Sequence, residues 1–178
     1  MQEMKVVFLT SYEVTMSVIF SIITIYLSIK FLNKFVLSSP VEDFIRRRHH
    51  AGCLISATLI LSVLYLVQGS IEHSTLALQS LVIAHNGFSL KILAIALVYF
   101  LIFYLFTFFL SFFVIFVISI MYRRMMKEID FDDEVDNHHN LGLSAFLSVT
   151  LVGIILFIEK PVNHLLSSMV FHEWLYKL

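Results

Sequence analysis

The chain has a single cysteine, Cys53, and charged side chains make up only 14% of its 178 residues. One thiol excludes an intrachain disulfide framework and a cysteine-rich zinc site. A formal net charge of -1 leaves no surplus of either sign, so a polyanionic partner such as nucleic acid is excluded. No glycine-rich phosphate loop is present. No cleavable leader is expected either: Glu3 and Glu13 offset Lys5, and no small-x-small site follows the first apolar stretch.

Apolar residues fill the space that charge leaves. They make up 59% of the chain, aromatics 15%, and the mean hydropathy is +0.90. Soluble domains run nearer ~45–50% apolar and ~25% charged. A soluble fold of this size could not hide so much apolar surface, so the excess must face lipid. An ordinary cytosolic enzyme and a disordered chain are excluded with it.

Four runs contain no Asp, Glu, Lys or Arg: 14–29, 53–70, 92–120 and 141–158. A helix needs about 20 largely apolar residues to cross the hydrocarbon core. Phe31, Phe35 and Leu37 extend the first run, and the third is long enough to tilt or project. None alternates with period two, which excludes a barrel. The expected fold is all-α and integral to the membrane. It has four transmembrane helices arranged as two parallel-repeat helical hairpins in one membrane domain.

Eight basic residues lie on one side of these spans: Lys30, Lys34, Arg46, Arg47, Arg48, Arg123, Arg124 and Lys127. Only Lys5, Lys91, Lys160 and Lys177 lie on the other. The positive-inside rule therefore puts both termini outside and both charged connections in the cytoplasm. Glu128, Asp130, Asp132, Asp133, Glu134 and Asp136 weigh little in that rule.

The two halves repeat, with unit 1 over about 11–71 and unit 2 over about 90–160. His49, His50, Ala51 and Gly52 precede the second span. His138, His139, Asn140, Leu141 and Gly142 precede the fourth. Setting Gly52 against Gly142 also pairs Thr58 with Ser148 and Leu61 with Leu151. Two-helix units share one orientation, which makes the repeat parallel.

Asn140, Gly142, Ser144, Ser148, Thr150, Leu151 and Gly153 form a pattern that resembles the Asn-x-Ala-x-Ser/Ala…Ser-x-Thr-Leu-x-Gly stretch of the YjfL-type family. These are small bacterial inner-membrane proteins with two-helix repeats and no assigned function. In unit 1, His50 stands where the family has its asparagine. The resemblance implies an inner-membrane location and the repeat fold, and no chemistry.

Two segments look interfacial. After Pro161, Val162, Leu165, Leu166, Met169, Val170 and Trp174 follow helical spacing. This makes 161–178 an amphipathic segment anchored by Trp174 and Tyr176, lying in the interface or docked on its own bundle. Ser39, Pro40, Val41 and Glu42 read as a capping box with proline at the first helical position, leading to a short apolar face of Val41, Phe44 and Ile45.

Three constellations could carry function. Ser17, Ser21, Thr24 and Ser28 put four hydroxyls on one face of the first span, for close packing or as a wetted path for a solute. His49, His50, His138 and His139 flank two helix N-termini. If the repeats face each other they could offer imidazoles to a metal or haem; otherwise they are headgroup-level polar residues completing the helix starts. Arg46, Arg47 and Arg48 could meet acids of another protomer, acids of their own chain, or anionic lipid. His73, His85, His164 and His172 look solvated. The third span carries ten aromatics from Tyr99 to Phe116. They go round the helix without defining a stripe, which suits lipid or a hydrophobic partner.

No charged residue sits within a run to serve as a proton relay, and the serines there lack an evident base, so no enzyme is expected. The expected function is an accessory or scaffold subunit in a homo-oligomer or beside a larger membrane partner. A small channel or transporter with a Ser/Thr-lined path is the alternative, and a histidine-ligated metal or haem protein the second. No particular cofactor is specified. Membrane lipid is the expected surround.

Overall fold

The computed structural model describes residues 2–37, 39–84 and 89–170, and among these the chain is mostly helical and has no strand. Six helices follow in order: α1 (Gln2–Phe35), α2 (Val41–Arg46), α3 (His50–Ala84), α4 (Leu90–Met125), α5 (Phe131–Asp136) and α6 (Leu141–Val170). Four of them, α1, α3, α4 and α6, are long and apolar enough to cross a membrane. Each half of the chain thus reads long helix, six-residue helix, long helix. The chain is all-α, as its composition requires.

The helices outrun the apolar runs. At ~1.5 Å per residue, the 36 residues of α4 span roughly 54 Å, against a hydrocarbon core of ~30 Å. The bundle therefore extends beyond the core.

α3 is the central helix, with α1, α4 and α6 packed on it. Between membrane helices the association comes from close packing and interhelical hydrogen bonds, not from exclusion of water. Towards the end that carries α2 and α5, Leu32, Leu59, Val63, Phe108, Phe112, Ile115 and Leu151 form one core. At the opposite end, Leu78, Leu81, Ile92, Ala96, Phe103, Val162 and Leu166 form the other.

The aromatics of α4 divide by face, where the sequence suggested no stripe. Phe100, Phe103, Tyr104, Phe108 and Phe112 point inward and are buried. Phe20 meets the Phe100 ring edge-on at 4.2 Å, and Phe31 meets Phe112 at 3.8 Å. Phe109, Phe113 and Phe116 point outward. Aromatic burial against α1 and α3 orients the helix, a tertiary effect that residue type alone does not carry.

α6 also departs from expectation, because it runs through Pro161 without a break. The missing proline N–H falls on an exposed side, while Val162, the next residue, and Leu166, one turn after it, bury in the core. Membrane helices tolerate proline where neighbouring helices hold the flanking turns. The region from 161 up to Met169 therefore docks on its own bundle as part of α6. Trp174 and Tyr176 lie outside the described residues. Glu159, just past the fourth apolar run, accepts a hydrogen bond from the Tyr65 hydroxyl at 2.9 Å.

Candidate functional site

The two charged connections fold alike. In each, a six-residue helix ends in a turn, one residue takes a left-handed conformation, and the next residue caps the following long helix. The left-handed residues are Arg48 (φ 53°) and His139 (φ 52°). The caps are His49, whose Nδ1 accepts the Gly52 N–H at 2.9 Å, and Asn140, whose Oδ1 accepts the Leu143 N–H at 3.0 Å. Both meet helix-start donors that would otherwise lack partners.

His49, not His50, is therefore the structural counterpart of Asn140. The short helices hold the register of the Gly52–Gly142 alignment, whereas the caps lie one residue further apart. The second connection takes an extra residue before its cap, and adjacent identical histidines conceal that slip in the sequence.

The capping box does not form. Pro40 precedes α2 without a side-chain cap. Asn33, from the last turn of α1, accepts the Val41 N–H at 2.9 Å and donates to the Glu42 carboxylate at 2.8 Å. Ser39 instead donates to Asp136 at 2.9 Å, joining the two units.

The four imidazoles do not converge. His49 is buried, with its Nδ1 accepting from Gly52 and its Nε2 facing the Asp136 carbonyl at 3.3 Å. A carbonyl can only accept, so Nε2 carries the proton and both nitrogens are engaged. His139 stacks on His49, while His138 pairs with Asp133 at 3.3 Å and His50 is exposed. Among the described residues, no group of three or more His, Cys, Asp or Glu is placed to hold a metal ion.

The three arginines differ in their surroundings. Arg46 pairs with Asp43 at 3.2 Å on the surface. Arg47 borders a polar cleft shared with Asp130, Asp133 and Asp136 of the second unit. Arg48 is exposed.

Above this surface, between the two units, lies a cavity of about 120 Å³. Its walls come from the end of α1, the starts of α3 and α6, the end of α4, and both short helices. Phe44 of α2 forms part of its floor and presses on Gly52. An added Cβ at Gly52 would sit 2.5 Å from the ring, so only glycine admits this approach. Two residues of the lining, Tyr122 and Ser148, have buried hydroxyls with no hydrogen-bond partner. Sequence reasoning missed both as site residues, because a packing hydroxyl and an unpartnered one look identical in sequence.

The hydroxyl stripe of the first span lies apart from this cavity lining, and the Ser28 hydroxyl is buried with no hydrogen-bond partner. Thr24 and Ser28 are fully buried, and Ser17, Ser21 and Thr24 each donate to the carbonyl one turn back. The Thr24 hydroxyl also meets the Tyr104 hydroxyl at 2.9 Å. Gly142 has only the Asn140 amide oxygen near a would-be Cβ, at 3.5 Å, and Gly153 has nothing within 4 Å. Of the repeat-motif glycines, Gly52 alone is required for space.

His73 is buried, contrary to the solvated position expected of it. Its Nδ1 lies 2.6 Å from the Gly69 carbonyl and its Nε2 2.8 Å from the Ser167 hydroxyl. Gly69 has no Cβ, which leaves room for Asn163, and the close approach of α3 and α6 there encloses the ring. Ser167 thus faces an imidazole that the apolar runs did not disclose. His164 is exposed, and His85 and His172 lie outside the described residues.

No family model, no curated protein and no solved structure matches this chain.

Proposed function

We propose that the protein is a non-catalytic accessory or scaffold subunit of a bacterial inner membrane, acting in a homo-oligomer or beside a larger membrane partner. The observation that carries this reading is the outer ridge of α4. Phe109, Phe113 and Phe116 are 63%, 63% and 52% exposed and lie one turn apart along one face. Leu105 and Ile102 continue the ridge. Rows of side chains at this spacing are what a neighbouring helix packs into its grooves.

The first-span hydroxyls of Ser17, Ser21 and Thr24 support the same reading, since their bonds run to their own helix and to Tyr104, while that of Ser28 is buried with no partner. The excess of basic residues beside α2 and α5 supports a cytoplasmic charged end with both termini outside. The resemblance to the YjfL-type family supports the inner-membrane location.

The test is native mass spectrometry on protein gently extracted from its own membrane. Integer multiples of the chain, or a complex with another subunit, are expected. Replacing Phe109, Phe113 and Phe116 together by alanine should release monomer. A wild-type monomer with no partner, or solute flux through purified protein in sealed liposomes, overturns the proposal.

A further inference from the structure

We propose that the cavity between the two repeat units binds the carbonyl end of a lipid acyl chain, with Tyr122 and Ser148 as its hydrogen-bond donors.

The donors are the first argument. Thr58 and Ser119 also line the cavity, and each donates to a carbonyl of its own helix, Leu54 at 2.8 Å and Ile115 at 2.9 Å. Ser148 makes no such bond although it is only 7% exposed, and the Tyr122 hydroxyl is likewise buried without a partner. Unpaired polar groups are costly within a membrane, where no water compensates. Two unpartnered hydroxyls on residues that line one cavity fit an occupant that brings acceptor oxygens. A carboxyl or ester group brings two.

The walls are the second argument. Leu37, Phe44, Ile55, Leu59, Ile118 and Leu151 make the remaining surface largely apolar. The volume of about 120 Å³ is close to the ~150 Å³ of an apolar cavity that accepts one benzene. It holds a carbonyl group and the first few methylenes, and not a whole lipid. The cavity is partly open, so the rest of a chain can leave it.

Position is the third. The lining runs past the end of the third apolar run to Tyr122 and Arg123, and reaches about two turns into the fourth at Leu147 to Leu151. Apolar chain meets polar headgroup at that level of a bilayer, and an amphiphile's carbonyl lies at the same boundary. A free fatty acid and a glycerolipid ester share this chemistry. The site is independent of the oligomeric reading above, because it lies inside one chain.

The experiment uses the full chain in phosphatidylcholine nanodiscs. Palmitic acid carrying a diazirine close to its carboxyl group is supplied in two arms, free or esterified in phosphatidylcholine. After illumination, adducts are mapped by peptide mass spectrometry. Adducts on the lining residues Ile118, Ser119, Tyr122, Leu147 and Leu151 are expected in at least one arm, and that arm identifies the source. Ser148→Ala and Tyr122→Phe should each shift half-saturation about tenfold, equivalent to ~1.4 kcal/mol. Ser148→Leu, which fills the space, should abolish these adducts while leaving those at Phe113 unchanged. Circular dichroism confirms folding, and the Ala and Phe variants keep the test open if the Leu variant does not fold. Adducts confined to lipid-facing residues, as a merely hydrated cavity would give, overturn the proposal. So do cavity adducts indifferent to all three substitutions.

Discussion

The imidazole of His49 lies against that of His139, with ring centroids 4.0 Å apart and planes 30° from parallel. One ring belongs to the cap of α3 and the other to the left-handed residue before the cap of α6. The stack therefore ties the two connections together. It also distinguishes the paired histidines, since His49 is buried and capping whereas His50 is exposed. His49→Ala should destabilise the protein by about 1–2 kcal/mol, combining a lost cap with a lost buried bond. His50→Ala should stay within ~0.5 kcal/mol of wild type. Asn140→Ala, which removes the equivalent cap, should cost about 1 kcal/mol. Unfolding in mixed detergent micelles, followed by circular dichroism, checks all three. Equal effects at His49 and His50 would contradict the assigned cap.

Gly52 and Gly153 make opposite predictions from one chemical change. A methyl group at Gly52 must displace the Phe44 ring and with it α2, whereas one at Gly153 meets open space. Gly52→Ala should cost about 1–3 kcal/mol through overpacking. Gly153→Ala should be neutral or slightly stabilising, because alanine is the better helix former. The same unfolding assay reads both. A further Phe44→Ala change should rescue part of the Gly52→Ala loss, since it removes the clash itself.

The long spans were legible because charge-free runs of the right length have few physical solutions in lipid. The mirrored short helices were half legible. Val41, Phe44 and Ile45 announced α2, but the acidic Phe131–Asp136 segment hid α5, whose apolar residues are only Phe131 and Val135. The cap at His49 was hidden by an identical neighbour, and that of Asn140 by an alignment one residue short. Burial of His73 was illegible for a different reason. It depends on α3 and α6 staying together beyond the apolar runs, and Pro161 argued against that continuation. The unpartnered state of Tyr122 and Ser148 is a property of three-dimensional placement, and no spacing encodes it.

Thr24 and Tyr104 test whether the hydroxyl stripe packs or conducts. Thr24 keeps its bond to the Phe20 carbonyl when the tyrosine hydroxyl is removed. Tyr104→Phe should therefore cost only about 0.6 kcal/mol, the average for interhelical bonds in a membrane protein. Proteoliposomes holding this variant should be as tight to small solutes as those holding the wild type. The more severe Ser21→Leu change, on the same face, should also leave permeability unchanged. A rise or fall in flux with either substitution would assign the stripe to a conducting path.

The bond between His73 and Ser167 should clamp α3 to α6 beyond the proline. The Gly69 carbonyl can only accept, so the His73 Nδ1 carries a proton and a neutral ring offers Nε2 as acceptor to Ser167. Ser167 also lies 2.9 Å from the Asn163 carbonyl. Its single proton can serve only one of these acceptors at a time. His73→Ala and Ser167→Ala should each destabilise the protein, and the double variant should lose less than their sum. A double-mutant cycle read by unfolding should give a coupling of roughly 0.6–1.7 kcal/mol, the average and upper end found for such bonds between membrane helices. His73→Phe should recover packing without that coupling. A coupling near zero would mean that the ring is held by the carbonyl and the surrounding helices alone. Pro161 would then be tolerated through the burial of Val162 and Leu166, without help from the clamp.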